Sequence, residues 1–358
     1  MASTLLRRRG FMALAGASVL SGCGARGQFS TAMASDAAAG TRTLLVATAR
    51  AADPSPIAYG PGRADALGFA RLTISIPPTH VVGEIEWAPG GTGVETDPSR
   101  HFALVGAEPL QGIDAFAHAA RGVNAARREE AVLFVHGYNT NFAEGVYRHA
   151  QIAWDYDLRG PQIHFAWPSA AEPFGYAYDR DSTLIARDHL ARLILHLTRE
   201  PDVRLSIVGH SMGAFLVMEA LRQIALQSSG DPFENLAGVT LISPDIDIDL
   251  FRVQARALED LPQPFVIAVS QNDRLLRLSS RLAGGQTRLG TLEDLAQLEG
   301  LGIYVVDMTG LEENGANHFL PGTSATAIAA IRGLQGSSGP QAENITLGPV
   351  RISLGSAL

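Results

Sequence analysis

Ser211 stands within Leu205–Gly213, LSIVGHSMG, where an apolar run meets a glycine-flanked turn and a helical pattern follows through Phe215, Leu216 and Leu221. G-x-S-x-G between a strand and a helix is a nucleophile elbow. Gly209 and Gly213 admit a strained turn that lifts the serine above the carboxyl edge of a parallel sheet. The helix behind it aims its positive end and free N–H groups at a developing oxyanion. A serine hydroxyl needs a base to take its proton and an acid to orient that base. Of ten histidines only His318, in NGANHF, follows Ser211, and it is the expected base. The expected acid is Asp273, in SQND directly after the apolar run Phe265–Ser270; Asp245, in SPDID after the preceding run, is the alternative. Asp247 or Asp249 suit capping of a helix before Leu250. These aspartates lack the glycine and closing glutamate of a calcium loop, so no metal is expected.

An oxyanion hole needs a second N–H. The run Ala131–Val135 (AVLFV) leads into His136-Gly137-Tyr138-Asn139, a loop that suits this role: the N–H of Tyr138 would pair with that of Met212. His136 is expected to hold the loop by a hydrogen bond, and Gly137, Gly209, His210 and Gly213 to support the two turns. Aromatic residues expected near the mouth are Tyr138, Phe142, Trp167, Phe174 and Tyr176.

These residues must be positioned by alternating strands and helices. Strands are expected at Thr43–Arg50 and Ala70–Ile76, the second stopped by Pro77-Pro78, with a Pro- and Gly-rich connection between. Short loops and brief strands follow from Val81 to Pro109, with His80 and His101 read as surface groups. A helix near Ile113–Arg128, the strand Ala131–Val135, a helix through Arg148 and Trp154, and a strand Ile163–Trp167 come next. Helix Ser182–Arg199 would pack Leu184, Ile185, His189, Leu193 and Leu197 on the sheet. After the elbow, strands are expected at Val239–Ser243, Phe265–Ser270 and Ile303–Val306. Such alternation predicts one domain with a mostly parallel central sheet and helices on both faces; with the elbow and the HGYN loop, this fits an α/β hydrolase fold.

At 358 residues and 46% hydrophobic content the chain can bury a full core. All 28 basic residues are arginine, which excludes Schiff-base, P-loop and serine-lysine chemistry. Cys23 is the single cysteine, so internal disulfides and cysteine-bearing zinc sites are excluded. A formal charge of −8 argues against nucleic acid as a partner. Residues 1–22 resemble an export signal, with a twin-arginine-like Arg8-Arg9-Gly10-Phe11-Met12 and a lipoprotein cleavage box, Leu20-Ser21-Gly22-Cys23. A plain secretory leader is the alternative. Lipidated Cys23 would anchor the exported chain to the cell envelope on the periplasmic side; Gly24 in place of the inner-membrane retention aspartate points to the outer membrane. Residues 23–42 are expected as a flexible tether, 43–335 as the hydrolase domain with its N-terminal extension, and 336–358 as an unassigned tail.

The strings VATAR, SIPPTHVVGEIEW, LFVHGYNTNFAEG, FAWPS, YDRDS, VGHSMG and SPDID occur in that order. In them the chain resembles, from about Thr43 to Gly333, the bacterial α/β hydrolase family catalogued as domain of unknown function 900. The resemblance implies a serine hydrolase fold with an elbow and an HGYN-type oxyanion loop, and no particular substrate. The residues predict cleavage of a small-molecule carboxylic ester through an acyl-enzyme, without a cofactor. Amide hydrolysis or acyl transfer would use the same groups, and a non-catalytic envelope lipoprotein that binds through this scaffold is the rival from another class.

Overall fold

In a computed structural model of the chain, residues 26–53, 59–124, 129–200, 203–228, 230–282, 284–311, 317–335, 344–347 and 350–354 are described. Cys23 and the leader lie outside them. In chain order the elements are β1 (Gly40–Ala52), β2 (Tyr59–Ile76), β3 (Ala103–Pro109), α1 (Gly112–Asn124), β4 (Ala131–Val135), α2 (Phe142–Asp155) and β5 (Gln162–Ala166). Then come α3 (Tyr176–Thr198), β6 (Leu205–His210), α4 (Met212–Gln227), β7 (Leu236–Ile242), α5 (Ile248–Ala257), β8 (Phe265–Val269) and α6 (Arg274–Leu282). The chain ends with β9 (Ile303–Asp307), α7 (Leu320–Thr323), α8 (Ala325–Gln335), β10 (Asn344–Leu347) and β11 (Val350–Leu354).

One sheet runs in the order β10-β11-β9-β8-β7-β6-β4-β5-β1-β2-β3. Strands β9 through β1 pair in parallel, while β1-β2-β3 at one end and β9-β11-β10 at the other pair antiparallel. A parallel sheet must be covered on both faces, which is why its strands are continuous apolar runs. Side chains alternate across the pleat. Leu45 and Ala47 of β1 join the core made with α1, α3, α4 and α5, whereas Leu44 and Val46 face the core that holds Phe142, Val146 and Tyr147 of α2. A third cluster packs Ala327 of α8 and Leu320 of α7 on Ile242, Ala268 and Val306.

The structure differs from expectation at several places. The stretch expected as a tether is, from Arg26 onward, held against the domain. Phe29 is buried between Phe142 and Tyr147, and Arg26 and Gly27 bond to Asn139, Asn141 and Glu144. The connection expected before Ala70 is instead the first half of β2, paired with β1 as far as Ala52↔Tyr59. Its glycines and proline weaken the strand signal without preventing an edge ribbon. In α3, Leu184 and Ile185 are 40% and 46% exposed, and only His189, Leu193 and Leu197 of the expected stripe are buried. Part of the unassigned tail forms β11 and β10, which extend the sheet beyond β9. His80, expected at the surface, is buried between two carboxylates.

Candidate active site

The elbow geometry follows from its glycines. Ser211 lies between β6 and α4 at φ 53° and ψ −120°, a region that strains a residue with a side chain by about 1–3 kcal/mol. The turn is over-determined by hydrogen bonds: Ser211 N–H donates to Ile242 O at 2.9 Å, and Ser211 O accepts from Ala214 N at 3.0 Å and Asp245 N at 3.2 Å. A Cβ on Gly209 would come to 2.8 Å from Ala214 Cα, and one on Gly213 would overlap the carbonyl oxygens of His136 and Val135. Gly213 therefore lets the start of α4 sit directly on the loop after β4. A Cβ on Gly137 would lie 3.0 Å from Ser211 Cβ and 2.7 Å from His210 Nδ1. The HGYN loop and the elbow are thus in contact, with Tyr138 in the first and Met212 as the first residue of α4. That first N–H has no partner within its own helix.

The expected base and the expected acid meet. His318 Nδ1 lies 2.6 Å from Asp273 Oδ2. The other carboxylate oxygen, Oδ1, accepts from Leu275 N at 3.0 Å and Leu276 N at 2.9 Å at the start of α6, so the fully buried Asp273 is fixed from both sides. His210 packs against the ring of His318, at 4.8 Å between centroids, and its Nε2–H donates to His318 O at 3.4 Å. Burial holds the His210 imidazole well below its usual pKa, so it is a neutral donor.

Asp245, the alternative acid, is engaged elsewhere. Tyr176 Oη donates to it at 3.0 Å and Ser279 Oγ at 2.6 Å, and Arg288 Nε is 3.2 Å away. Among the described residues no hydrogen bond joins it to His318, which bonds to Asp273 instead. Asp247 caps α5, accepting from Leu250 N at 3.1 Å.

His136 has carbonyls at both ring nitrogens: Gly137 O lies 2.9 Å from Nδ1, and Trp167 O lies 3.2 Å from Nε2. Its ring stacks on Trp167, whose indole N–H donates back to His136 O at 2.7 Å. Burial, with Arg50 adding to it, lowers its pKa to about 3; it holds a loop and carries no charge at neutral pH. Among the aromatics expected at the mouth, Trp167 and Phe142 are core residues. Tyr138 and Tyr176 touch at 5.6 Å between centroids. Tyr138 Oη donates to Pro173 O at 2.7 Å and Glu172 O at 3.1 Å, which ties down the segment carrying Phe174, itself 100% exposed.

Several residues that shape the site escaped the sequence reading. Asn139 takes left-handed backbone. Asn141 caps α2 in a reciprocal box with Glu144, so HGYNTNFAEG encodes both a turn and a helix start. The loop is braced by buried Arg50, which donates to Thr140 O at 2.7 Å and Ser169 O at 3.0 Å. Asp179 of α3 accepts from Ser169 Oγ and Ala170 N at 2.6 Å each, and from Asn139 N at 3.2 Å. Burial raises the Asp179 pKa and lowers that of Arg50 to about 10. Arg50 stands in VATAR, Ser169 in FAWPS and Asp179 in YDRDS.

A second brace holds the segment after His318. Arg148 Nη1 donates to Gly322 O at 3.0 Å and Gly83 O at 2.9 Å, and Tyr156 Oη to Pro321 O at 2.7 Å. Beside them His80 spans Asp155 and Glu86, both at 2.9 Å. Gly83 N–H donates to Asp155 at 2.8 Å, and Gln151 also bonds to that carboxylate. Burial alone would lower the His80 pKa, but its hydrogen bonds to Asp155 and Glu86 outweigh it and the net shift is upward.

Residues 115–333 match the family described as alpha/beta hydrolase of unknown function, DUF900. A relative from Nostoc sp., named only as an uncharacterized protein, is 34% identical over 67 residues, which is 18% of this chain and 17% of that protein. Among solved structures the chain is similar to a protein from Pectobacterium atrosepticum described as a yden-like hydrolase. The identity there is 19%, the match covers 47% of this chain and 78% of that one, and the TM-score is 0.24.

Proposed function

We propose, on the premise that this chain belongs to the family of alpha/beta hydrolases of unknown function designated DUF900, that it cleaves carboxylic esters as a serine hydrolase through an acyl-enzyme. The observation that carries this reading is the 2.6 Å hydrogen bond between His318 Nδ1 and Asp273 Oδ2, in the chain whose elbow serine sits in left-handed backbone. With its proton on Nδ1 and facing Asp273, the imidazole keeps the Nε2 lone pair for the Ser211 hydroxyl proton. Ser211 Oγ attacks the ester carbonyl, and the N–H groups of Tyr138 and Met212 receive the oxyanion. Collapse expels the alcohol, which takes the proton from His318. Water then enters and gives a proton to the same nitrogen as its oxygen bonds to the acyl carbon; the bond to Ser211 Oγ breaks, Oγ takes that proton back from His318, and the acid is released. Asp273 keeps the ring oriented. Asp245 instead supports the wall formed by Tyr176, Ser279 and Arg288. The same steps on an amide, or with a second alcohol in place of water, are outcomes of substrate choice.

Export and acylation of Cys23 belong to this proposal: the enzyme works in the cell envelope on a small-molecule ester. The test uses a soluble form beginning at Gly24, a fluorophosphonate probe and p-nitrophenyl esters from acetate to palmitate. Wild type is expected to label and turn over. Ser211→Ala should do neither, and His318→Ala and Asp273→Asn should lose most of the labelling rate. A folded wild type whose Ser211 resists the probe, and which cleaves none of the esters, would sink the reading and move the binding lipoprotein to the front.

A further inference from the structure

Helix α6 starts directly after Asp273 and turns two kinds of residue to solvent. Leu276 and Ser279 are its buried side, the latter bonded to Asp245 and 3.2 Å from Tyr176 Oη. Leu275 and Leu278 are 48% and 52% exposed, with Arg274, Arg277 and Arg281 exposed around them. From Arg274 to Leu292 there is no acidic residue, in a chain whose formal charge is −8. Two residues before Tyr176, whose hydroxyl touches α6, stands the fully exposed Phe174. An exposed aromatic and two exposed leucines bordered by arginines are costly to leave in water. They match the pattern of a segment that lies in a lipid headgroup layer, with apolar groups in the acyl boundary and guanidinium groups on phosphates. Charge complementarity selects the partner: a surface bearing anionic phosphate headgroups is attracted to this patch, while the remainder of the acidic chain is repelled from it.

We infer that α6 and Phe174 form an interfacial face that seats this edge of the molecule on an anionic phospholipid surface. The face does not depend on acylation of Cys23. Its helix begins one residue after Asp273, so a molecule docked in this way holds the candidate site against the lipid layer, where a poorly soluble ester would be concentrated. Arginine suits the role better than lysine would, because its planar guanidinium is weakly hydrated and can pair bidentately with phosphate.

The test follows amide hydrogen exchange in the full chain carrying Cys23→Ser, so that no acyl group contributes, with vesicles of phosphatidylglycerol and phosphatidylcholine or of phosphatidylcholine alone. Exchange is read at residues 172–176 and 274–282, so membrane binding by the leader does not mimic the result. The expected result is slowed exchange in both segments with the anionic vesicles only. Protection should be lost in Phe174→Asp/Leu275→Asp/Leu278→Asp and should weaken roughly five-fold for each of Arg274, Arg277 and Arg281 replaced by glutamine. All six side chains are exposed, so these variants should keep the wild-type melting temperature, which serves as the folding control. Absence of protection, equal protection by both vesicle types, or protection that grows with protein concentration without vesicles would overturn the inference. The last result would make the face an interface between two copies. Because the readout needs no turnover, it stands or falls apart from the esterase reading.

Discussion

Adding one methyl group at Gly213 and the same group at Gly122 should move stability in opposite directions. Gly122 lies in α1 with nothing within 4 Å of where its Cβ would be, so Gly122→Ala collects only the helix preference of alanine, about 0.5–1 kcal/mol. Gly213 is also helical and gains the same, but its Cβ would overlap two backbone oxygens, His136 O and Val135 O. Neither is a flexible side chain: one ends β4 and the other begins the HGYN loop, and both are buried. Relief requires α4 to slide away from β4, so the overpacking should reach the upper end of the usual range, about 3 kcal/mol. The net is a loss of about 2 kcal/mol, and the two variants should be separated by about 3 kcal/mol in urea unfolding. Gly209→Ala, whose Cβ would meet Ala214 Cα at 2.8 Å, should fall between them. Fluorophosphonate labelling per folded molecule should drop at least about ten-fold for Gly213→Ala, because the same displacement moves Met212 away from Tyr138. Equal urea midpoints for Gly213→Ala and Gly122→Ala would refute the reasoning, since one close approach is all that distinguishes them.

The two aspartates should separate in a different way. Asp273→Asn should depress labelling by up to about four orders of magnitude, by analogy with removal of the orienting acid in other triads. Asp245→Asn should keep the labelling rate and instead lose about 3 kcal/mol or more, as it leaves buried Arg288 without its charge partner; a wild-type urea midpoint for that variant would count against it. His80 has a folded pKa above its unfolded value, so its contribution to stability is full below the unfolded value near 6.5 and disappears as pH rises through the folded one. His80→Gln should therefore flatten the loss of stability that wild type shows as pH rises above about 6.5, as read from urea midpoints. The buried imidazoles act with the opposite sign. His136 and His149 fall to about 3 through burial, so between pH 6.5 and 3 the unfolded chain binds more protons and stability declines as pH falls. His149→Leu should reduce that slope by up to about 1.4 kcal/mol per pH unit, and an unchanged slope would mean that His149 is charged in the fold.

The parallel part of the sheet could be read from sequence because burial on both faces demands uninterrupted apolar runs. AVLFV and FVIAV are β4 and β8 almost to the residue. The elbow was legible for a related reason: the two glycines are required by backbone contacts within the fold, not by local preference. Where the reading failed, the deciding contact came from far along the chain. His80 looks like a loop histidine until Asp155, 75 positions later, closes on it. Arg26 to Phe29 look like linker because their partners are the capping box of α2 and two aromatics of the second core. The strand Tyr59–Ile76 is masked by Gly60, Pro61 and Gly62, which an edge ribbon tolerates and an inner strand would not. In the candidate site the expected nucleophile and base are named by chain order alone. Asp273 and Asp245 both follow a parallel strand, and only the folded chain shows which of them bonds to His318.

The antiparallel hairpins at the two ends of the sheet bear on solubility as much as on shape. A bare parallel core would end in β1 and β9, each offering a row of unpaired amide and carbonyl groups to any other chain. The ribbon β2-β3 covers β1 and the hairpin β11-β10 covers β9, moving the exposed margins outward to two short strands, one ending in Glu108 and Pro109. If residues after Gln335 were removed, IYVVD of β9 would become a sticky margin able to recruit a neighbour. Strands β11 and β10 thus cap an edge that would otherwise invite pairing with another chain, a role separate from anything that happens at Ser211.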